Sequence, residues 1–400
     1  MMDKTHDWKA SPLDRTTHPA WIEIDLDAMT LNFREVQKRV GPKVKVIASV
    51  KGNAYGIGAA ASARVFAFLG AYAVATGSFE DAMAIRRAAI DVRIHMFPGM
   101  LPEAAGEYLR YDLIPSVYNA ETAEAISCVA RQPVSVFVKV DAGLGRLGVP
   151  LESAEAFIKH IVSTFPNIRI EGIFTHLPFN DATGRDWAAE RITRFHELLH
   201  LLEAAGIHIP VTQAVASAGV ASHLKTDCNT VCVGHLLYGG LARVTPDLGD
   251  LSAFRPVLRA LKARLIHVQS HPYDTHIGLG GQQFLPANSI TGVIPVGLYH
   301  GYRPAISGRT AMVLVRGRRV PVLSVTQEYT TLDLTPAGDL KLGEEVVLIG
   351  GSGGDVISIE EFATWQGSSP LGVLMSLNER FPYEYQGGPI DDGRETVPPK

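Results

Sequence analysis

Lys43-Val-Lys-Val-Ile-Ala-Ser-Val-Lys51 is a run of β-branched and apolar residues that ends on a lysine and then breaks at Gly52-Asn53-Ala54-Tyr55. A short, nearly continuous apolar run bounded by turn residues is the pattern of a strand buried on both faces. Similar runs follow at Ala71–Thr76, Arg93–Phe97, Leu113–Tyr118, Val134–Asp141, Ile168–His176, Val211–Ser217 and Thr230–Tyr238. Helical stretches lie between them, at Phe79–Ala88, Ala120–Ala130 and Asp186–Ala205. The last has Trp187, Ile192, Phe195, Leu198 and Leu202 near every third or fourth position. Alternation of strand and helix predicts a parallel sheet. Eight such units suit a closed (β/α)8, TIM-like barrel; an open doubly wound sheet is the other arrangement the same alternation allows.

After Phe254 the pattern changes. Strand-like runs follow with little helix between them, at Ala260–Gln269, Ile290–Val296, Thr310–Val315, Arg319–Val325, Tyr329–Leu334 and Glu345–Leu348. Glycine and proline punctuate them, and helices are expected near Ser358–Trp365 and Leu371–Arg380. The expected organisation is an α/β barrel over residues 20–250 and a mainly-β domain over 254–385. A disordered tail is expected over 387–400.

Bulk composition narrows the function classes. Of 400 residues, 37 are Lys or Arg and 41 are Asp or Glu, for a formal net charge of -4. That balance gives no electrostatic basis for nucleic acid or an anionic membrane as partner. No apolar run approaches the roughly 18–20 residues of a membrane span, and residues 1–21 lack the apolar core of a signal peptide. Cys128, Cys228 and Cys232 make no disulfide framework, so a cytoplasmic location is expected. No HExxH or CxxC spacing is present, and no metal is expected.

A β/α barrel builds its site at the C-terminal ends of its strands. Lys51 stands there on the first strand. A lysine at a barrel mouth is pushed toward its neutral, nucleophilic form by desolvation, although a lysine at a strand end is also commonly a plain surface residue. The fifth strand runs into Asp141-Ala-Gly-Leu-Gly-Arg146-Leu-Gly148, the sixth ends at Thr175-His176, the seventh at Ser217-Ala218-Gly219 and the eighth at Cys232-Val233-Gly234-His235. The loops after strands seven and eight are the usual phosphate site of such barrels. Ser217 and the small residues around it could let backbone N–H groups close on a phosphate, or could simply make turns. His176 could stack beside a cofactor ring or be a core histidine, and Arg146 could bind an anionic oxygen or be solvated.

In these residues the chain resembles the alanine racemase family, the fold type III enzymes of pyridoxal 5'-phosphate (PLP). The resemblance rests on Trp21-Ile-Glu-Ile-Asp-Leu-Asp-Ala28, Val50-Lys51-Gly-Asn-Ala-Tyr55-Gly56, Lys139-Val-Asp-Ala-Gly-Leu-Gly-Arg146-Leu-Gly148, Thr175-His176, Ala216-Ser217-Ala218-Gly219 and Leu237-Tyr238-Gly239. Ile277-Gly278-Leu279-Gly280-Gly281 and Ile294-Pro-Val-Gly297 extend it into the second domain. It covers about residues 20–385. It implies a small amino-acid substrate, a head-to-tail homodimer, and Lys51 holding PLP as a Schiff base and acting as one base. It further implies that Tyr55, Ser217, Gly234 and His235 hold the phosphate, and that His176 lies against the pyridine ring. Arg146 would serve both the cofactor and the substrate carboxylate.

The chain departs from the family pattern in five places. Leu279 stands where the family carries its second base, a tyrosine. Cys232 stands where an arginine faces the pyridine nitrogen. Leu371 replaces a phosphate-binding tyrosine, Gln327-Glu328 replaces Met-Asp in the substrate loop, and Leu298-Tyr299-His300 replaces Tyr-Ala-Asp. Three functions are compatible with the retained lysine and the lost tyrosine. The first is a racemase or epimerase whose second base is replaced, with His276, Tyr299 and His300 as substitutes. The second is a lysine-only PLP enzyme of retro-aldol, hydroxymethyl-transfer or decarboxylation chemistry. The third is a PLP-binding homologue without turnover. Leu279, Leu298 and Gln327 predict a substrate pocket unlike one shaped for alanine.

Overall fold

The computed structural model describes residues 17–239, 248–377 and 380–388. The chain divides into two compact units. The larger contains residues 27–54 and 58–255, and the other contains residues 17–26, 55–57 and 256–387.

The larger unit is an all-parallel barrel. Its strands are Lys45–Ser49, Ala73–Thr76, Ile94–Met96, Leu113–Ile114 with Ser116–Val117, Val134–Asp141, Ile168–Phe174, Val211–Val215 and Thr230–Val233. Each pairs in parallel with the next, and Thr230–Val233 pairs back onto Lys45–Ser49, which closes the ring and rules out the open sheet. The expected fourth strand is split at Pro115, which has no N–H to give to a ladder. The expected eighth strand stops at Val233, and His235–Tyr238 form a 3-10 turn instead.

Ile47, Ala73, Ala75, Ile114, Phe137, Phe174 and Val211 fill the barrel interior, with Tyr72, Phe97 and Cys232 packed against them. Burying each large member contributes about 1.5–3 kcal/mol. His95 belongs to this interior too: its ring stacks on Phe137 at 4.3 Å and meets Phe174 edge-on at 4.9 Å. The outer helices bury the faces that periodicity predicts. Ala182–Ala204 buries Ala188, Ile192, Phe195, Leu198 and Leu202, and Asp181 caps it by accepting from the Gly184 N–H at 2.7 Å.

The second unit is built on a largely antiparallel sheet. Its order is His267–His271, Ser289–Ile294, Thr330–Asp333, Arg318–Val325, Met312–Val315, Glu345–Ser352, Leu258–Arg264, Ala20–Asp25 and Tyr383–Gln386. One expected boundary is corrected here. The barrel was expected to begin at residue 20, but Ala20–Asp25 pairs antiparallel with Leu258–Arg264 and parallel with Tyr383–Gln386. A short run of buried residues can fill an inner strand of either sheet, and nothing local in it says which. The expected run Ala260–Gln269 is two strands, Leu258–Arg264 and His267–His271. Helices Ile359–Trp365 and Pro370–Ser376 occupy the places expected for them. The expected tail beyond residue 388 lies outside the described residues.

Candidate active site

The first barrel strand does not run on to Lys51. It ends at Ser49, and Lys51–Gly56 form a helical turn of left-handed sense. Gly52, Asn53, Ala54, Tyr55 and Gly56 have φ of 63°, 52°, 54°, 57° and 81° in succession. Left-handed backbone suits glycine and is tolerated by asparagine, but costs about 1–2 kcal/mol for an ordinary L-residue such as Ala54 or Tyr55. The turn persists because its hydrogen bonds are made. The Ala54 N–H donates to Val50 O at 2.8 Å, and the Asn53 carbonyl accepts from Gly58 N–H at 2.9 Å. The Asn53 N–H reaches both carboxylate oxygens of Asp81, at 3.1 and 3.2 Å.

Lys51 begins this turn. Water reaches the residue, yet protein surrounds most of its ammonium. Desolvation holds its pKa below the ordinary lysine value; the charge of Arg146 adds to the effect and Cys232 opposes it. The same electrostatic neighbourhood takes in groups from the fifth, sixth and eighth strands. His176 is pushed down to about 4 by burial and then by Lys51, Arg146, Lys139 and His235. His235 is pushed down to about 4 by burial and by Lys51. Burial raises the Cys232 thiol to about 12, with Lys51 and Lys139 pulling the other way. Both imidazoles and the thiol are therefore neutral near pH 7.

Lys139 shares this electrostatic neighbourhood, and reading the sequence for strand ends passed over it. It is buried inside the fifth strand, with its ammonium 5.1 Å from the centre of the Phe174 ring. Desolvation first, then Arg146, lower its pKa to about 8. A lysine in the middle of Val134-Ser-Val-Phe-Val-Lys-Val-Asp141 was the available signal, because an interior strand position forces that side chain to a face of the sheet.

The loop carrying Arg146 is held by Asp141, whose carboxylate accepts from Gly143 N–H at 2.9 Å and from Arg146 N–H at 3.0 Å. Gly148 has φ of +128°, and a Cβ there would come within 2.6 Å of Asp141 N, so the loop cannot close over a larger residue. The loops after strands seven and eight are tied by Ser217, whose Oγ accepts from Gly234 N–H at 3.0 Å. The Tyr238 hydroxyl donates to Ser49 O at 2.9 Å and ties the eighth-strand segment back to the first strand.

The barrel unit thus brings Lys51, Arg146, His176, Ser217, Cys232, Gly234 and His235 to the C-terminal ends of its strands. Tyr55, His276, Leu279, Tyr299, His300 and Gln327 belong to the second unit. There His276 and Phe284 face each other across the hairpin of Thr275–Ile277 and Gln283–Leu285, with ring centres 5.4 Å apart. His276 Nδ1 lies 3.1 Å from Gly281 O. A carbonyl only accepts, so Nδ1 carries the proton and Nε2 keeps the lone pair in the neutral ring. His300 is the reverse case. Its Nδ1 accepts from Gly297 N–H at 3.3 Å, which uses the basic nitrogen. Tyr299 has the Arg380 guanidinium 3.5 Å above its ring. Leu279 is 92% exposed.

The barrel residues fit PLP in chemical kind. The desolvated amine of Lys51 suits a carbonyl carbon, and the cationic groups Lys139 and Arg146 suit a phosphate or carboxylate. The buried hydroxyls of Ser49 and Thr175, at the ends of the first and sixth strands, have no hydrogen-bond partner among the described residues. Among the described residues no group of His, Cys, Asp and Glu is arranged to hold a metal, and no helix is long and apolar enough to cross a membrane.

Comparison with known proteins agrees with this fold. The alanine racemase N-terminal domain model matches residues 24–242, and the alanine racemase C-terminal domain model matches residues 258–385. An alanine racemase of Halothermothrix orenii is 32% identical over 93% of this chain and 98% of its own length. One of Desulforamulus reducens is 32% identical over 92% and 99%. The crystal structure of alanine racemase from E. faecalis superposes with a TM-score of 0.81 at 26% identity, covering 92% of this chain and 99% of that one. Two domain models laid end to end, and relatives matched over nearly their whole length, place the chain in the alanine racemase family, whose members are PLP-dependent amino-acid racemases.

Proposed function

We propose that this protein is a PLP-dependent racemase or epimerase of a small amino acid, with Lys51 as the base on one face and a replaced second base on the other. The observation that carries the reading is the lowered pKa of Lys51 at the mouth of a parallel barrel. A lysine whose charged form is disfavoured in this way is a better nucleophile and proton acceptor than one in open water. PLP, when bound, supplies the electron sink that acidifies the substrate's α-C–H.

This chain's residues then divide the work. In the family's pattern Tyr55, Ser217, Gly234 and His235 would take the phosphate, His176 would lie against the ring, and Arg146 would take the substrate carboxylate. Lys51 removes or returns the α-proton. Cys232, neutral because of its burial, would leave the pyridine nitrogen without a charged partner. Leu279 cannot move a proton. Of the three substitutes, His276 has the geometry of a base, because its bond to Gly281 O leaves Nε2 basic. Leu279, Leu298 and Gln327 shape the side-chain pocket. As in the family resemblance, the active form is a head-to-tail homodimer in the cytoplasm, with the second unit of one protomer serving the barrel of its partner.

A lysine-only enzyme is favoured by one observation, the apolar Leu279 in place of a proton donor. Product analysis separates the two. The PLP-loaded protein is incubated with single L-amino acids and the mixture is resolved by chiral chromatography. Appearance of the D-form supports racemisation. Release of an aldehyde or carbon dioxide without a D-form supports the lysine-only chemistry. Neither product across the whole panel leaves a PLP-binding homologue without turnover and contradicts the proposal.

A further inference from the structure

Asp81 sits in the first turn of the helix Phe79–Arg87, where an acidic residue ordinarily needs no more explanation than the helix dipole. Its carboxylate does something else. It is buried, and it accepts from the Asn53 N–H on both oxygens, at 3.1 and 3.2 Å, and from the Thr76 hydroxyl at 2.8 Å. Its own N–H donates to Ser78 Oγ at 3.2 Å, so the helix cap and the carboxylate are set by one short segment. Asn53 in turn fixes the start of the next helix: its carbonyl accepts from Gly58 N–H at 2.9 Å and its Oδ1 from Ala59 N–H at 2.7 Å. The first N–H groups of any helical turn lack partners inside it. Asp81 supplies one to the left-handed turn from a different helix, across 28 residues of chain.

We propose that Asp81 is a positioning residue for Lys51. It holds the left-handed turn whose first residue is the lysine, and so fixes the direction in which the amine leaves the strand end. The handedness is decisive. If residues 52–54 relaxed to the ordinary right-handed region, the chain beyond Lys51 would take another path, and the backbone beside which the Lys51 side chain is set would move. This inference rests on the reading of Lys51 as the PLP lysine, and adds what keeps that lysine in its desolvated position.

The test uses the full-length protein without PLP. Lys51 is labelled with an amine-specific acylating reagent across a pH range, and its labelling is followed by peptide mass spectrometry. In Asp81→Ala the labelling midpoint is expected to rise by about one pH unit toward the ordinary lysine value, as the amine escapes into water. PLP affinity is expected to fall about tenfold, the scale of one hydrogen bond to a charged group. The sign of the midpoint shift is diagnostic. Loss of a nearby negative charge alone would move it down. Loss of packing alone would lower the melting temperature and leave the midpoint in place, which is the behaviour expected of Asn119→Ala, the loss of an ordinary helix cap in the same unit. Asp81→Asn keeps an oxygen for the Asn53 N–H and should restore most of the wild-type profile. An unchanged or lowered midpoint in Asp81→Ala overturns the proposal. If that variant does not fold, Thr76→Val removes a bond that fixes the carboxylate. It should move the midpoint upward by less, and an unchanged value there overturns the proposal equally. Lys51→Ala is read separately with PLP and borohydride. Trapping of PLP on another lysine would discard the Lys51 reading itself without bearing on the effect of Asp81 on labelling.

Discussion

At Lys51 the surroundings disfavour the charged form of an ordinary side chain. Desolvation is the larger cause of its lowered pKa, and the Arg146 charge is a further one in the same direction. Removing the arginine must therefore raise the pKa of Lys51. In Arg146→Ala the limb of the pH–activity profile that reports a deprotonated base should move to higher pH, with a weaker substrate-carboxylate interaction seen as a raised KM. A limb that stays in place while KM alone rises would assign Arg146 to substrate binding without a part in tuning the lysine. The lysine at the strand end was legible in the sequence because an apolar run led directly to it. Lys139 was not, because attention to strand ends passes over a lysine inside a strand. Candidates for a second base were legible only as a set of three, since residue type alone does not say which histidine nitrogen is left basic. The carbonyl of Gly281 makes that distinction for His276.

At the scale of elements, the site depends on short loops that admit no bulk. Gly148→Ala would place a Cβ against the backbone of Asp141 and Val140, at a φ of +128° that L-residues rarely adopt. Its expected effect is a loss of about 1–3 kcal/mol in stability, with weaker PLP retention because the loop it closes carries Arg146. Chemical denaturation and dialysis against PLP-free buffer measure the two. Strands were legible as apolar runs, and helices as periodic ones. The left-handed turn was signalled only by Gly52, Asn53 and Gly56 close together, residues that serve right-handed turns as well. The placement of Ala20–Asp25 was not legible at all. A buried strand looks alike in any sheet, and its partners, Leu258–Arg264 and Tyr383–Gln386, lie far away at the other end of the chain.

For the whole molecule, the barrel interior makes acid stability a property of its histidines. Burial lowers His95 to about 3, and His176 and His235 to about 4. In the unfolded chain each takes up a proton near the usual histidine value, about 6.5. Between that value and the folded one the unfolded state binds more protons, so stability falls as pH falls. Each group contributes at most about 1.4 kcal/mol per pH unit. The melting temperature should decline steadily from pH 7 to pH 4. His95 is fully interior, bonded through Nε2 to Ser116 Oγ at 3.0 Å. His95→Leu should flatten part of the decline without changing the barrel's closure. An equal slope in that variant would mean that His95 is not a source of the acid sensitivity.

That Lys51 works on one face of the substrate and a replaced second base on the other is tested most directly by proton exchange. The PLP-loaded protein and its His276→Gln variant are incubated in heavy water with each enantiomer of a turned-over amino acid. Chiral separation with mass detection then reads configuration and deuterium together. For the wild-type protein the account predicts deuterium in both enantiomers. For His276→Gln it predicts deuterium with configuration retained, from exchange on the Lys51 face alone. Racemisation that continues unchanged in His276→Gln would contradict the assignment of the second base. No exchange from either enantiomer across the panel would contradict the claim as a whole.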